Sequence, residues 1–237
     1  MALPKLGYPT YELELPSTGK TVKYRPFLVK EEKVLLLALE SQDEKQVTNA
    51  VKDLLKNCVI SRIKVDQLPS FDLEFLFLKI RAASIGEEIT LTVTCLDDNE
   101  TKVEAQININ EIEVFKPEGH DPKIMFDDTT GIVMKYPSMK QFIEREFLQK
   151  DMKTEEVYDF IADSIDQIFD EDEVYDSSTT TKKEFRTFVD SLTTKQFEKI
   201  QQFYETCPKL SHRFTALNPN TGKESEYTIE GLQSFFA

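Results

Sequence analysis

The chain has 237 residues, 40% apolar and 30% charged, with 29 Lys and Arg against 43 Asp and Glu and a formal net charge of −14 at pH 7. This is a globular composition, long enough for one large or two small domains around a real core. So acidic a balance speaks against nucleic acid as the main partner, because phosphate binding needs clustered Lys and Arg; it favours a basic protein partner.

In chain order, residues 11–27 (YELELPSTGKTVKYRPF) alternate apolar and polar on both sides of PSTGK, which predicts a β-hairpin. Three helices follow. Val29 to Ser41 carries Val34, Leu35, Leu37, Ala38 and Leu39. Asp43 to Arg62 puts Val47, Ala50, Val51, Leu54, Leu55, Cys58 and Val59 on one face at helical spacing. Phe71 to Ile85 lacks a polar face, so Phe75, Leu76 and Leu78 are expected in the core, and Gly86 ends the helix. A second hairpin is predicted around DDNET and a third around DDTT. Helices are then expected from Ser138 to about Lys150 and from Thr154 to about Phe169. DEDEVYDSSTTT reads as a loop. Thr181–Glu184 and Thr193–Gln196 are capping boxes that open two short helices. A fourth hairpin, HRFTALNPNTGKESEYTI, leads to the tail GLQSFFA.

The hairpin tips share a plan: a strand ends, a polar turn follows, and Lys20, Lys102 or Lys223 opens the return strand. The second and fourth tips are the closest pair in sequence. Turns converge on Asn, Asp, Pro, Thr and Gly for physical reasons; an internal duplication would give the same pattern, and the sequence leaves both open.

The letters GKT at 19–21 end a P-loop motif, but the position five before Gly19 is Glu14, and strand rather than helix follows. No nucleotide site is expected. The run Asp163 to Asp176 holds seven carboxylates. A calcium loop starting at Asp170 would need an oxygen ligand and then a glycine where Val174 and Tyr175 stand. The run therefore reads as a solvated acidic loop, with Asp170, Asp172 and Glu173 as candidate contacts for a basic partner. Cys58, Cys95 and Cys207 are far apart, no CxxC or HxxH pair occurs, and neither His120 nor His212 carries a catalytic motif. No metal, cofactor or catalytic residue is expected. The start, MALPKLGYPTYE, lacks the form of a signal peptide, and VLLLAL is too short to cross a bilayer. With three scattered thiols, the expectation is a soluble protein of a reducing cytoplasm.

Several stretches in a shared order resemble the baseplate hub assembly proteins of T-even-like tailed phages. They are YELELPSTGKTVKYRPFLVKEEK, LEFLFLKIRAASIGE, GIVMKYPSM, FVDSLTTKQFEKIQQFYETCPKLSH and the closing EGLQSFF. The resemblance implies a non-enzymatic assembly factor for the hub of a contractile tail, acting on other hub or tape-measure proteins in the infected cell. A permanent hub component is the alternative it leaves. Neither nucleic acid, membrane nor nucleotide is an implied partner. Members of that family with CxxC pairs at hairpin tips differ from this chain, where Cys95 is followed by Leu96-Asp97-Asp98 and the fourth tip reads Asn218-Pro219-Asn220-Thr221.

The expected fold class is α+β, with antiparallel hairpins packed beside helices and no parallel doubly wound sheet. The expected division is 1–115 and 116–237. Phe235 and Phe236, adjacent near the chain end, are further candidate partner contacts, since two phenylalanines left in water would each cost about 1.5–3 kcal/mol.

Overall fold

The computed structural model describes residues 6–138 and 154–231. In chain order these residues form β1 (Tyr11–Glu14), β2 (Thr21–Tyr24), α1 (Val29–Glu40), α2 (Glu44–Cys58), α3 (Ser70–Ile85), β3 (Glu88–Thr94), β4 (Lys102–Asn108), β5 (Glu113–Phe115), β6 (Lys123–Met125) and β7 (Gly131–Met134). They continue with α4 (Thr154–Asp163), β8 (Ile165–Phe169), β9 (Val174–Asp176), α5 (Lys182–Ser191), α6 (Thr194–Glu205), β10 (Lys209–Leu217) and β11 (Glu224–Glu230). Every ladder is antiparallel, so the fold is α+β. The chain divides into two compact units, residues 1–115 with 209–237 and residues 116–208. This differs from the division expected from the sequence in the place of the C-terminal hairpin. β10 pairs with β5 through Leu210↔Val114 and joins the first unit.

The first unit is built around α3. Leu76 and Ile80 are wholly buried, and Phe77 and Leu78 nearly so. Phe75 is a correction: it is only half-buried, with the Lys79 ammonium 5.1 Å from its ring centre. The helix turn there faces the edge of the core, not its middle. α2 starts on Asp43, whose carboxylate accepts from the Lys45 and Gln46 N–H groups. It buries Ala50, Val51, Leu54, Leu55 and Cys58, the face expected from spacing. It stops at Cys58 rather than Arg62 because strand β2 captures the chain: Arg25 N–H donates to Cys58 O (3.0 Å) and Ile60 N–H to Lys23 O (2.8 Å). α1 is anchored by Glu31. Its carboxylate accepts from the Leu28 N–H at 2.6 Å and pairs with Arg25 at 3.0 Å, both side chains buried. On β3 and β4, Ile89, Leu91, Ala105 and Ile107 point inward while Glu88, Thr90 and Thr92 face out.

The second unit packs α4, α5 and α6 on the four-stranded sheet β6-β7-β8-β9. Its core gathers Ile132, Ile165, Phe185, Val189, Ile200 and Phe203. The helix expected from Thr154 to Phe169 breaks at Asp163, and residues 165–169 are strand. Ile161, Ile165 and Ile168 suit helical spacing, but Lys135 N–H donates to Ser164 O at 2.7 Å and β7 then pairs along β8. Residues 174–176, expected as loop, form β9 against β8. Gly131 allows β7 to lie close: a Cβ there would stand 2.5 Å from Ile124 O and 2.6 Å from the Phe169 ring. The helix expected from Ser138 to Lys150 lies outside the described residues beyond Ser138 itself.

Candidate functional site

Two hairpin tips of the first unit are tied together. The β3–β4 tip brings Asp97 and Asp98, and the β10–β11 tip brings Asn218, Asn220 and Thr221. Asn218 Nδ2 donates to Asp97 Oδ1 and to Asp98 Oδ2, both at 2.9 Å. Thr221 Oγ1 donates to Asp97 Oδ2, and Asn220 Nδ2 donates to Thr101 Oγ1 at 2.9 Å. Asn218 is buried. Beneath the tie, Tyr227 Oη accepts from Leu96 N–H and donates to Thr94 O, each at 3.3 Å, beside the buried Cys95.

Both oxygens of each carboxylate in this clasp accept hydrogen bonds. Asp98 also accepts from Thr101 Oγ1 and from the Glu100 and Thr101 N–H groups, and these bonds hold its carboxyl far below the usual carboxylate range. The Asn218 amide and then the Thr221 hydroxyl pull Asp97 down as well. Among the described residues no group of three or more His, Cys, Asp or Glu is placed to hold a metal ion. This chain joins the two tips with amide, hydroxyl and carboxylate.

The turn at 15–20 uses the same backbone plan as the fourth tip. Gly19 N–H donates to Leu15 O and Leu15 N–H to Lys20 O; Gly222 N–H donates to Asn218 O and Asn218 N–H to Lys223 O. Gly19, Asn99 and Gly222 all sit at positive φ (67°, 57° and 75°), a conformation open to Gly and Asn. In hydrogen bonding the first and fourth tips are thus the closest pair, while the second holds one residue more. At Gly19 this settles what GKT is: a turn. The N–H groups a phosphate would need are already bonded, and the buried Asp72 carboxylate accepts from both Ser17 N–H and Ser17 Oγ.

The β8–β9 tip carries the candidate acids. Asp170 is turned into its own loop, accepting from the Asp172 and Glu173 N–H groups at 3.0 and 2.9 Å. Asp172 and Glu173 are exposed, as is Val174 beside them. Tyr175 titrates higher than usual, through its bond to Glu173 and the neighbouring acids. Among the described strands β9 is a sheet edge. Phe235 and Phe236 lie outside the described residues.

Two features escaped the sequence reading. Arg186 lies over the Tyr158 ring at 4.8 Å and is held by Glu155, Asp159 and Asp190, beside an open pocket of about 400 Å³ lined also by Val189, Leu192 and Phe197. The i,i+4 spacings of Glu155 with Asp159 and of Arg186 with Asp190 were the available signal. His120 is a core residue. It stacks on Tyr136 and Phe203, with Nδ1 2.9 Å from Thr206 Oγ1 and Nε2 3.2 Å from Tyr136 Oη. Burial, then the nearby Lys116, lowers its pKa, so it is neutral at pH 7 and fixed in place.

No described helix is long and apolar enough to cross a membrane. The family model described as T4 bacteriophage base plate protein matches residues 8–237, which takes in both units. The chain belongs to the T4 bacteriophage base plate protein family. No curated protein and no solved structure matches it.

Proposed function

We propose that this chain is a non-enzymatic assembly factor for the baseplate hub, acting in the infected cell by contact with hub or tape-measure subunits. The observation that supports the baseplate part of this reading is the family match across residues 8–237. The net charge of −14 supports it, since a strongly acidic surface speeds encounter with basic partners. So does the β8–β9 tip, where Asp172 and Glu173 flank an edge strand that an extended basic segment can join. Asp170 shapes that tip. Phe235 and Phe236 are proposed as a second contact.

The deciding experiment compares infected-cell lysates with purified virions by quantitative mass spectrometry. The expected result is enrichment in assembly intermediates and absence from finished particles. A fixed copy number in virions would make the protein a permanent baseplate component instead. The contact residues are tested by the pair Asp172→Lys and Glu173→Lys, expected to lose the co-purifying partner with melting unchanged. Deleting residues 233–237 separates a partner contact, where only assembly fails, from internal docking, where stability falls.

A further inference from the structure

Helix α1 leaves an apolar face uncovered. Val29 is 80% exposed, and Val34, Leu36 and Leu37 are 52–55% exposed. The opposite arc, Glu31, Leu35 and Ala38, is buried in the first unit. At 100° per residue, Val29, Lys33, Leu36 and Glu40 fall on one line, with Leu37 and Val34 to one side. A three-turn helix that buries one arc and shows four large aliphatic side chains on the other is an unfilled contact surface.

The charges on that line are arranged in a particular way. Lys33 stands three residues before Leu36 and Glu40 three after Leu37, and both are exposed. Neither has an ion pair among the described residues. Seven residues put them about 10 Å apart along the axis, too far to pair with each other.

We propose that this face packs on the same face of a second copy, in an isologous two-fold contact whose axis passes between Leu36 and Leu37. That axis runs the two helices antiparallel and sets Leu36 beside Leu37 of the second copy, so the leucines of both copies meet at the centre. It also sets Lys33 opposite Glu40 of the second copy, and Glu40 opposite Lys33 of the second copy. Two symmetric ion pairs then flank an apolar centre, the self-complementary pattern that a two-fold interface requires. The overall charge of −14 argues for this face over others. Two such chains repel, and they meet with less cost where Lys30 and Lys33 offset Glu32 and Glu40, Glu31 being buried against Arg25. One helix face buries less than the roughly 800 Å² per partner of a standard interface, so the contact belongs with weak, reversible associations. The inference rests on α1 alone and not on whether the protein leaves the finished virion.

Sedimentation equilibrium of the full chain across the micromolar range tests it, with a monomer–dimer equilibrium expected. The double variant Leu36→Glu, Leu37→Glu should be monomeric throughout with unchanged circular dichroism and melting, because both side chains are exposed. Lys33→Glu alone, or Glu40→Lys alone, should weaken the dimer about tenfold by setting like charges opposite each other. The two together exchange the pairs and should restore wild-type association. A chain monomeric at every concentration, or a dimer indifferent to Leu36 and Leu37, overturns the proposal. A charge exchange that fails to restore the dimer overturns the two-fold register.

Discussion

The two units solve the problem of closing a chain in different ways. Residues 116–208 close on themselves, with a sheet of sequential antiparallel neighbours and, among the described residues, the helices α4, α5 and α6 from the same stretch. The first unit is stitched from distant parts. β10 pairs with β5, Ser17 is bound to Asp72 across 55 residues, and Asn218 reaches Asp97 across 121. Long closures cost more entropy before any contact rewards them. The first unit therefore adds polar ties between distant segments to its apolar core around α3. The second depends on a continuous aromatic and aliphatic core.

The bluntest way to break this contrast is to empty each core. Leu76→Ala in the first unit and Ile200→Ala in the second should each cost about 2–5 kcal/mol. Scanning calorimetry should show each substitution moving a different transition. If both move one common transition, the units fold as a single block. Gly131→Ala tests how tightly the second unit is packed. The added methyl meets a backbone oxygen that cannot swing aside, and overpacking of this kind costs about 1–3 kcal/mol.

Asn218→Ala sharpens the contrast from the other side. It removes two hydrogen bonds to carboxylates from a buried position and should cost about 2 kcal/mol. It also changes the acid response. Asp97 and Asp98 have pKa values below the ordinary range in the folded state, so their stabilisation is complete above about pH 4 and lost as pH falls below it. Unfolding followed from pH 6 to pH 2 should show a shallower loss in the variant. An unchanged acid limb would mean the clasp does not link the tips in solution.

Smaller effects follow. Arg81 on α3 has a buried Nη1 with no hydrogen-bond partner among the described residues, and burial lowers its pKa. Arg81→Met should therefore raise stability by about 1 kcal/mol, read as a higher melting temperature. A large loss instead would reveal an anionic partner for that guanidinium. Lys20→Ala, at a solvent-exposed turn, should change stability by less than about 0.5 kcal/mol.

The sequence by itself determined the parts that local chemistry controls. The turns at 15–20, 96–102 and 217–223 were legible because Gly, Asn and Asp take conformations that other residues resist. The buried face of α2 and the core positions Leu76 and Leu78 were legible because helical spacing and the lack of a polar face leave few choices. The baseplate family was legible because motifs along the whole length keep one order. Only the tertiary structure decided the rest. Ile161, Ile165 and Ile168 suit a helix by spacing, and pairing with β7 made residues 165–169 a strand. β10 pairs with β5, a three-residue strand with no other partner among the described strands, and no local pattern announces that pairing. Asp97 and Asn218 each read as ordinary turn residues, and the clasp between them exists because two tips more than a hundred residues apart in sequence are brought within hydrogen-bond reach.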